Sequence, residues 1–386
     1  SITDSGTVTV GGSLVATTDA NNGLINLGTL AVDGTVALTT NGSGNATAVN
    51  DAGLTFAAST VGGNLAATAT TGNMTDSGAL TITGTSSFTT SVNNADIILN
   101  NTNAFTGAVS LNTTGSEFGS SGDATIDNGT TALILAASSV GGILTVRSGN
   151  TSGITDSGTV TVGGNLTATT DANSGVINLG TLAVDAGIHL NTHGIGNATA
   201  VNDAGFFFGG NGSTVGGNLN VTATTGNMTD NNDGLVTVAG TSSFTTSANN
   251  ATITLDDTDH SFTGAVTLST TGSTGHATID NGTTAFNVAA SSVGGNLTLT
   301  SGNSITDSGT LTVGGNLVAT TDANNGLINL GTLAVDGTVA LTTNGSGNAT
   351  AVNDAGLTFA ASTVGGNLAA TATTGNMTDS GALTIA

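Results

Sequence analysis

The chain has 386 residues, a formal net charge of −23 and one basic residue, Arg147, and it contains no Cys, Pro, Trp or Tyr. Because neutralising phosphates takes several Lys or Arg side chains, this balance excludes nucleic-acid binding, and it argues against docking on anionic lipid. No apolar run approaches the roughly 20 residues that cross a bilayer, so we expect no membrane insertion.

Internal repeats dominate the chain from its first residue. Residues 1–83 align without gaps with residues 304–386 and differ at only three positions. The segment ITDSG occurs three times, at intervals of about 152 residues. Because Ser1 begins in the middle of a repeated motif, we expect the chain to be part of a longer protein. We predict one continuous architecture made of unit 1 (residues 1–152), unit 2 (residues 153–303) and a partial unit 3 (residues 304–386).

A shorter period appears inside each unit. Apolar and polar residues alternate, as in Val8 and Val10 and then Leu14 and Ala16, which predicts short strands with one buried face each. A glycine precedes such a pair in every coil. These glycines are Gly12, Gly34, Gly63, Gly84, Gly107, Gly142 and Gly164. Their intervals average about 25 residues, so the sequence predicts six coils per unit and about 15 coils in the chain.

Strands of two or three inward residues cannot build a core alone. Stacking coil on coil buries every apolar column and pairs every backbone edge with its neighbour. The sequence therefore predicts an all-β fold, a parallel β-helix or β-solenoid, with a length of about 70 Å at about 4.8 Å per coil. The absence of Pro fits this fold, because nearly every strand residue would lie in a central ladder.

Three recurring segments, NLTATT, VGGNL and ITDSG, carry a family resemblance. The tripeptide VGG occurs eight times, at Val10, Val61, Val140, Val162, Val215, Val293, Val313 and Val364. With these motifs the whole chain resembles the haemagglutinin-type repeats of filamentous haemagglutinins and related giant bacterial surface proteins. The resemblance implies a right-handed β-helix that is extracellular, lies at the cell surface, and takes part in adhesion, aggregation or biofilm.

One acidic segment stands out as a candidate metal site. Asp256, Asp257 and Asp259 precede His260, and the equivalent stretch of unit 1 reads as the neutral residues Asn100, Asn101, Asn103 and Ala104. Clustered carboxylates are the ligands that Ca²⁺ prefers, and His suits a softer metal. Sequence drift at an exposed loop explains the same residues, so a calcium site and a plain loop are both open.

Aspartates at Asp-x-Gly corners are the most regular polar feature. They lie at Asp4, Asp51, Asp76, Asp127, Asp156, Asp203, Asp280, Asp307, Asp354 and Asp379, and we assign Asn26 and Asn178 to the same corner in other coils. Such residues favour Asx turns that satisfy local backbone donors. Divalent-cation binding is the alternative, because stacked carboxylates repel one another. The other histidines, His189, His193 and His276, recur in no other unit.

Catalysis needs a convergent group of acid, base or nucleophile. With one Arg, no Lys and no repeated Ser, His and Asp grouping, we predict no enzymatic activity and no cofactor other than the calcium considered above. We predict a structural extracellular fibre of a bacterial surface or biofilm matrix. Its partners would be further copies of itself or continuing repeats stacked end to end, and surface or matrix polysaccharide. The alternatives are the stalk of a large secreted adhesin, a carbohydrate-active β-helix and an ice-binding solenoid.

Overall fold

A computed structural model describes residues 1–115, 122–210, 212–231 and 234–386. Over these residues the chain is an all-β parallel β-solenoid of about 17 turns, with about 22 residues per turn and no helix. The predicted fold class is confirmed. None of the described segments forms a helix long and apolar enough to cross a membrane. The chain divides into two compact units, Ser1–Gly196 and Asn197–Ala386.

The strands are short, with two to eight residues each. The first compact unit contains β1 (Ile2–Thr3), β2 (Val8–Val10), β3 (Leu14–Asn21), β4 (Ile25–Val32), β5 (Thr35–Asn41), β6 (Ala46–Asn50), β7 (Leu54–Phe56), β8 (Ser59–Val61), β9 (Leu65–Ala69), β10 (Met74–Asp76), β11 (Leu80–Ile82), β12 (Ser86–Thr90), β13 (Ile97–Leu99), β14 (Ala104–Phe105), β15 (Val109–Asn112), β16 (Ala124–Asp127), β17 (Leu133–Leu135), β18 (Ser138–Val140), β19 (Leu144–Ser148), β20 (Ile154–Asp156), β21 (Val160–Val162), β22 (Leu166–Asn173), β23 (Ile177–Val184) and β24 (Ile188–His193). The second contains β25 (Ala198–Asn202), β26 (Phe206–Phe208), β27 (Ser213–Val215), β28 (Leu219–Ala223), β29 (Met228–Asp230), β30 (Val236–Val238), β31 (Ser242–Asn249), β32 (Ile253–Leu255), β33 (Ser261–Phe262), β34 (Val266–Thr271), β35 (Ala277–Asp280), β36 (Phe286–Val288), β37 (Ser291–Val293), β38 (Leu297–Ser301), β39 (Ile305–Asp307), β40 (Leu311–Val313), β41 (Leu317–Asn324), β42 (Ile328–Val335), β43 (Thr338–Asn344), β44 (Ala349–Asn353), β45 (Leu357–Phe359), β46 (Ser362–Val364), β47 (Leu368–Ala372), β48 (Met377–Asp379) and β49 (Leu383–Ile385).

Every strand pairing described within the two units is parallel and joins one turn to the next. In the first unit Ile2 pairs with Ile25, Ile25 with Ala46, and Ala46 with Leu65. The step ranges from 19 residues between Ala46 and Leu65 to 27 between Asn112 and Ser139. Corners of different length absorb this variation, while the strands between them stay in register.

The predicted number of coils per repeat is wrong. The ladder runs from Leu65 through Ser86 and Val109 to Leu135, and Leu135 pairs with Asp156 in the next copy of the repeat. Counted from Ile2, this path makes seven steps, where the sequence predicted six coils. The turns are correspondingly shorter than the predicted length of about 25 residues.

The error comes from treating glycines at two different corners as one series. The Gly34 amide donates to the Gly12 carbonyl, so these two stack, but the Gly63 amide donates to Gly44 and not to Gly34. Gly142 likewise stacks on Gly122. The two long sequence intervals therefore each include more than one turn.

The interior is filled by the alternating apolar residues that the sequence indicates. In β7, for example, Leu54 and Phe56 are buried while Thr55 between them is partly exposed. Eight phenylalanines are the largest fully buried side chains. Because successive strand residues point to opposite faces, a period of two is enough to assign each of them to the inside or the outside.

Polar side chains that point inward close the corners. The buried Thr18 hydroxyl donates to the Gly23 carbonyl at 2.9 Å, and Thr40 does the same to Gly44 at 2.7 Å. The buried Asn50 reaches across to the preceding turn, where it accepts from the Val32 amide at 2.9 Å and donates to the Val32 carbonyl at 3.1 Å. These side chains take the place of strand pairing where the backbone turns away, so that buried backbone groups stay bonded.

Candidate functional site

The three predicted calcium ligands lie in one loop of the second unit, between β32 and β33. The Asp259 amide donates to Asp257 Oδ1 at 3.0 Å, which makes a local Asx turn, and the Asp257 amide donates to Asp230 Oδ2 at 3.2 Å. Among the described residues no group of three or more His, Cys, Asp or Glu side chains is arranged to hold a metal ion. Calcium binding by Asp256, Asp257 and Asp259 stays a prediction, which titration calorimetry with Ca²⁺ can test.

His260 is buried, with 1% of its surface exposed. Its Nδ1 accepts from the Val236 amide at 3.0 Å, and its Nε2 lies 2.5 Å from Asp230 Oδ2. Because Nδ1 accepts a backbone N–H, the ring proton is on Nε2 and the imidazole is neutral, donating to the Asp230 carboxylate. His260 is therefore a bridging side chain within the fold, between two neighbouring turns.

The structural counterpart of His260 is Asn103, and the sequence comparison with Ala104 is wrong. Asn103 Oδ1 accepts from the Leu80 amide at 2.7 Å, and its Nδ2 donates to Asp76 Oδ2 at 2.8 Å. His260 makes the same pair of bonds to Val236 and Asp230. The loop before His260 is one residue longer than the loop before Asn103, which shifted the alignment.

Replacing His260 with Asn is expected to be tolerated, since Asn offers one acceptor and one donor in the same order. We expect His260→Asn to change the free energy of unfolding by about 1 kcal/mol or less. His260→Leu leaves the Val236 amide without its acceptor and takes the ring N–H donor from the buried Asp230 carboxylate, which keeps its bond from the Asp257 amide; the change should cost about 2–4 kcal/mol. Hydrogen exchange at the Val236 amide measures both, and equal exchange in the two variants would contradict the bridging role.

The Asp corners make two kinds of contact. Asp4 accepts from the amide of Thr29 at 2.7 Å and from its hydroxyl at 3.0 Å, one turn away, and the Thr29 amide lowers the pKa of Asp4. Asp127 and Asp280 instead make the predicted Asx turn, in which Oδ1 accepts from Gly129 or Gly282 at 2.8 Å.

The assignment of Asn26 and Asn178 to the Asp corner is wrong. Asn26 lies in β4 and pairs with Thr3 of β1, and Asn178 lies in β23 and pairs with Thr155 of β20. In those turns the chain continues as one eight-residue strand, so no corner forms at this position. The Asp-x-Gly residues also do not form one column: Asp4 follows a strand of the ladder of β1 and β4, whereas Asp76 lies in β10, in the ladder of β7 and β13.

The remaining three histidines differ in their surroundings. His276 Nδ1 accepts from the Asn296 amide at 2.8 Å, the bond that the carboxylate of Asp123 makes with Ile143 in the first unit. His189 is buried in β24, and His193, at the end of the same strand, is exposed. His276 thus takes the place of the Asp123 carboxylate at the equivalent corner.

The single basic residue forms a charged group with two aspartates in the first unit. Arg147 lies in β19 beside Asp127 in β16, and its Nε contacts Asp171 Oδ2 in an ion pair. The hydrogen bond and charge of Asp171, with a smaller contribution from Asp127, raise the pKa of Arg147. Both side chains of the ion pair are well exposed, so it adds little to stability.

The second unit has aspartates at the equivalent positions, but Thr300 takes the place of the positively charged Arg147. Asp280 pairs with Thr300 at the position that Arg147 holds beside Asp127. Burial of the Asp280 carboxyl raises its pKa, and the charges of Asp322 and Asp256 raise it further, while the hydrogen bond from the Gly282 amide opposes the shift. Sequence reasoning missed this difference, although the exchange of Arg147 for Thr300 is visible in the aligned repeats.

Asp280→Asn is expected to stabilise the chain near pH 7. A carboxyl whose folded-state pKa is raised penalises folding above that pKa, and the penalty disappears as pH falls through the folded-state pKa toward the unfolded value. Asn keeps the acceptor for the Gly282 amide and carries no charge. The gain in the free energy of unfolding, measured by hydrogen exchange of β35 and β38, should become smaller as the pH falls toward about 4. Asp127→Asn, next to Arg147, is the control, and an equal gain there would refute the explanation.

Arg147 also lies in an open groove of about 460 Å³ on the first unit. Asp127, Arg147 and Asp171 contribute its charged groups, Thr102 and Thr130 its hydroxyls, and Gly129, Gly149 and Ala172 the remaining surface. Gly129 has a left-handed backbone with φ of 51° and tight contact with Thr102, which favours Gly there. The groove combines hydrogen-bond donors and acceptors over a surface with few large side chains.

Comparison with known proteins gives one family. The sequence profile of a family described as repeats of unknown function (DUF5649) matches residues 43–112, 195–269, 274–328 and 346–386, more than half of the chain. No curated protein and no solved structure matches the chain. The matched repeats and the β-solenoid fold show that the chain is a repeat protein. They do not show that it belongs to the haemagglutinin-like family that its sequence resembles. The chain belongs to the family of repeats of unknown function, DUF5649.

Proposed function

We propose that this β-solenoid repeat protein is a structural segment of an extracellular fibre, at a bacterial surface or in a biofilm matrix. One observation carries the proposal: a coil of this repeat pairs in parallel with the coil before it and the coil after it, and its apolar side chains are buried between them. The strand β10 pairs with β7 and with β13. Its Met74, and Leu80 and Ile82 of the same coil, are fully buried in the first unit.

The edge of any coil in such a stack is a template for the next coil, because it offers both backbone groups for pairing and an apolar column to be covered. The occupant that fits it best is another coil of the same repeat, since such a coil already covers Met74 and Leu80. Continuing repeats or a further copy of the chain would extend the stack in the same way. A fibre built by this rule needs no dedicated interface beyond the ladder itself.

The outer surface suits an extracellular material. Its charge is almost wholly negative, with a formal value of −23 for the chain, which favours solubility and opposes lateral clumping. Most polar groups near the corners bond across neighbouring turns, as Asn50 does with Val32. Repeated outer positions would then act through multivalency, in which many weak contacts add to a strong one.

Electron microscopy of the native material, labelled with antibodies against this chain, tests the proposal. We expect the label to follow continuous filaments outside intact cells. Fibre diffraction of the purified filaments should show a meridional spacing of about 4.8 Å, the distance between stacked strands. Label confined to the cell interior, or to discrete particles with no filaments, would overturn the proposed function.

A further inference from the structure

We infer that the groove around Arg147 binds a segment of a neutral oligosaccharide. The groove of about 460 Å³ falls within the range of about 300–1,000 Å³ that small-ligand sites occupy. Its surface alternates charged side chains with the glycines and the alanine described above. This inference is independent of the proposed fibre, because it concerns one site in one unit.

The hydrogen-bonding groups of the groove match sugar hydroxyls, which both donate and accept. The contact with Asp171 uses Arg147 Nε, so the N–H groups of both Nη atoms remain for a ligand. The carboxylates of Asp127 and Asp171 accept, and the hydroxyls of Thr102 and Thr130 do both. Asp127 also holds the Gly129 amide at 2.8 Å, which steadies that side of the groove.

Charge excludes the other ligand classes. Two carboxylates flank one guanidinium, and the whole chain is strongly acidic, so a phosphate, sulfate or uronate would be repelled. A cation would be attracted by the net negative charge, but it would compete with the Arg147 guanidinium, which already pairs with Asp171. A large apolar ligand would find little to pack against, because the lining has no aromatic or long aliphatic side chain. A neutral, hydroxyl-rich ring is the class that avoids all three penalties.

The small residues give such a ring a place to lie. Gly129 and Gly149 belong to adjacent turns, and the Gly149 amide donates to the Gly129 carbonyl at 2.6 Å. A Cβ on Gly149 would come within 2.9 Å of that carbonyl. At these two glycines the groove that Asp127, Arg147 and Thr130 also line is formed by backbone without side chains.

The second unit supplies a natural comparison for the test. Thr300 occupies the position of Arg147, next to Asp280, and Gly302 and Asp322 correspond to Gly149 and Asp171. Thr is thus accepted in this strand of the solenoid, so Arg147→Thr removes the guanidinium with little risk to folding. Thr300→Ser is the matched control, since it alters the equivalent strand and leaves Arg147 in place.

Binding is measured on the full chain by saturation-transfer NMR and titration calorimetry with cellotriose, maltotriose and triacetylchitotriose, and with trigalacturonate as the anionic probe. We expect millimolar binding of at least one neutral trisaccharide, a loss of about 10-fold or more in Arg147→Thr, and no change in Thr300→Ser. Circular dichroism confirms that both variants are folded. No binding of any neutral probe, unchanged binding by Arg147→Thr, or binding of trigalacturonate alone would overturn the inference. The filament test above is unaffected by any of these results.

Discussion

Phe244→Ala is expected to destabilise the second unit by about 3–5 kcal/mol, the usual cost of removing a buried ring. Phe244 is fully buried and packs edge to face against Phe208, with ring centroids 6.3 Å apart, and against Phe262, at 5.3 Å. Phe206 extends the row, with its centroid 4.8 Å from that of Phe208. The variant therefore breaks a continuous row of aromatic rings.

The cavity left by Phe244 should collapse poorly. Its strand, β31, is paired on both sides, with β28 and with β34, so backbone hydrogen bonds hold the two neighbouring turns at their spacing. The loss then includes both the transfer free energy and the unfilled volume. This rigidity is the reason to expect a cost in the upper half of the range.

Hydrogen exchange measured by mass spectrometry suits this chain, because it has no Trp or Tyr and stacked repeats need not unfold in one step. We expect faster exchange in β28, β31 and β34 of Phe244→Ala and little change in the first unit. Phe207→Ala is the matched control, since Phe207 points outward from β26 and is only half-buried. Its cost should be about 1 kcal/mol, and a comparable effect of the two variants would contradict the packing argument.

Asn128→Ala should cost about 3 kcal/mol or more, because it leaves several buried backbone groups without partners. Asn128 is fully buried. Its Oδ1 accepts from the Phe105 amide at 2.7 Å, and its Nδ2 donates to the carbonyls of Phe105 at 3.1 Å and Ala132 at 2.8 Å. One side chain thus completes the ladder for a residue of the preceding turn and closes its own corner.

Exchange at the Phe105 amide reports this bond directly, and we expect it to become much faster in Asn128→Ala. Asn128→Asp keeps the acceptor but places a buried negative charge against two carbonyls, so it should be at least as harmful. Asn64→Ala is the control: Asn64 is exposed and accepts from the Thr85 amide at 2.9 Å, a bond that water can replace. If Asn64→Ala and Asn128→Ala lower the free energy of unfolding by the same amount, burial does not determine the cost of removing the side chain.

The local pattern of the sequence was enough to predict the β-solenoid. Alternation of apolar and polar residues assigns each strand residue to the inside or the outside, because the side-chain period of a strand is two. The repeat of about 152 residues follows from the three copies of ITDSG. The excess of acidic residues, and the exclusions drawn from it, also need no structure.

Only the tertiary structure decided which residues meet across neighbouring turns. Seven turns per repeat, the pairing of His260 with Asp230, and the group of Arg147 with Asp127 and Asp171 all depend on the register between turns. That register is set by backbone hydrogen bonds, and the turns between paired residues vary from 19 to 27 residues. Since corners of different length look alike in sequence, spacing along the chain determines the direction of a side chain but not its neighbour one turn away.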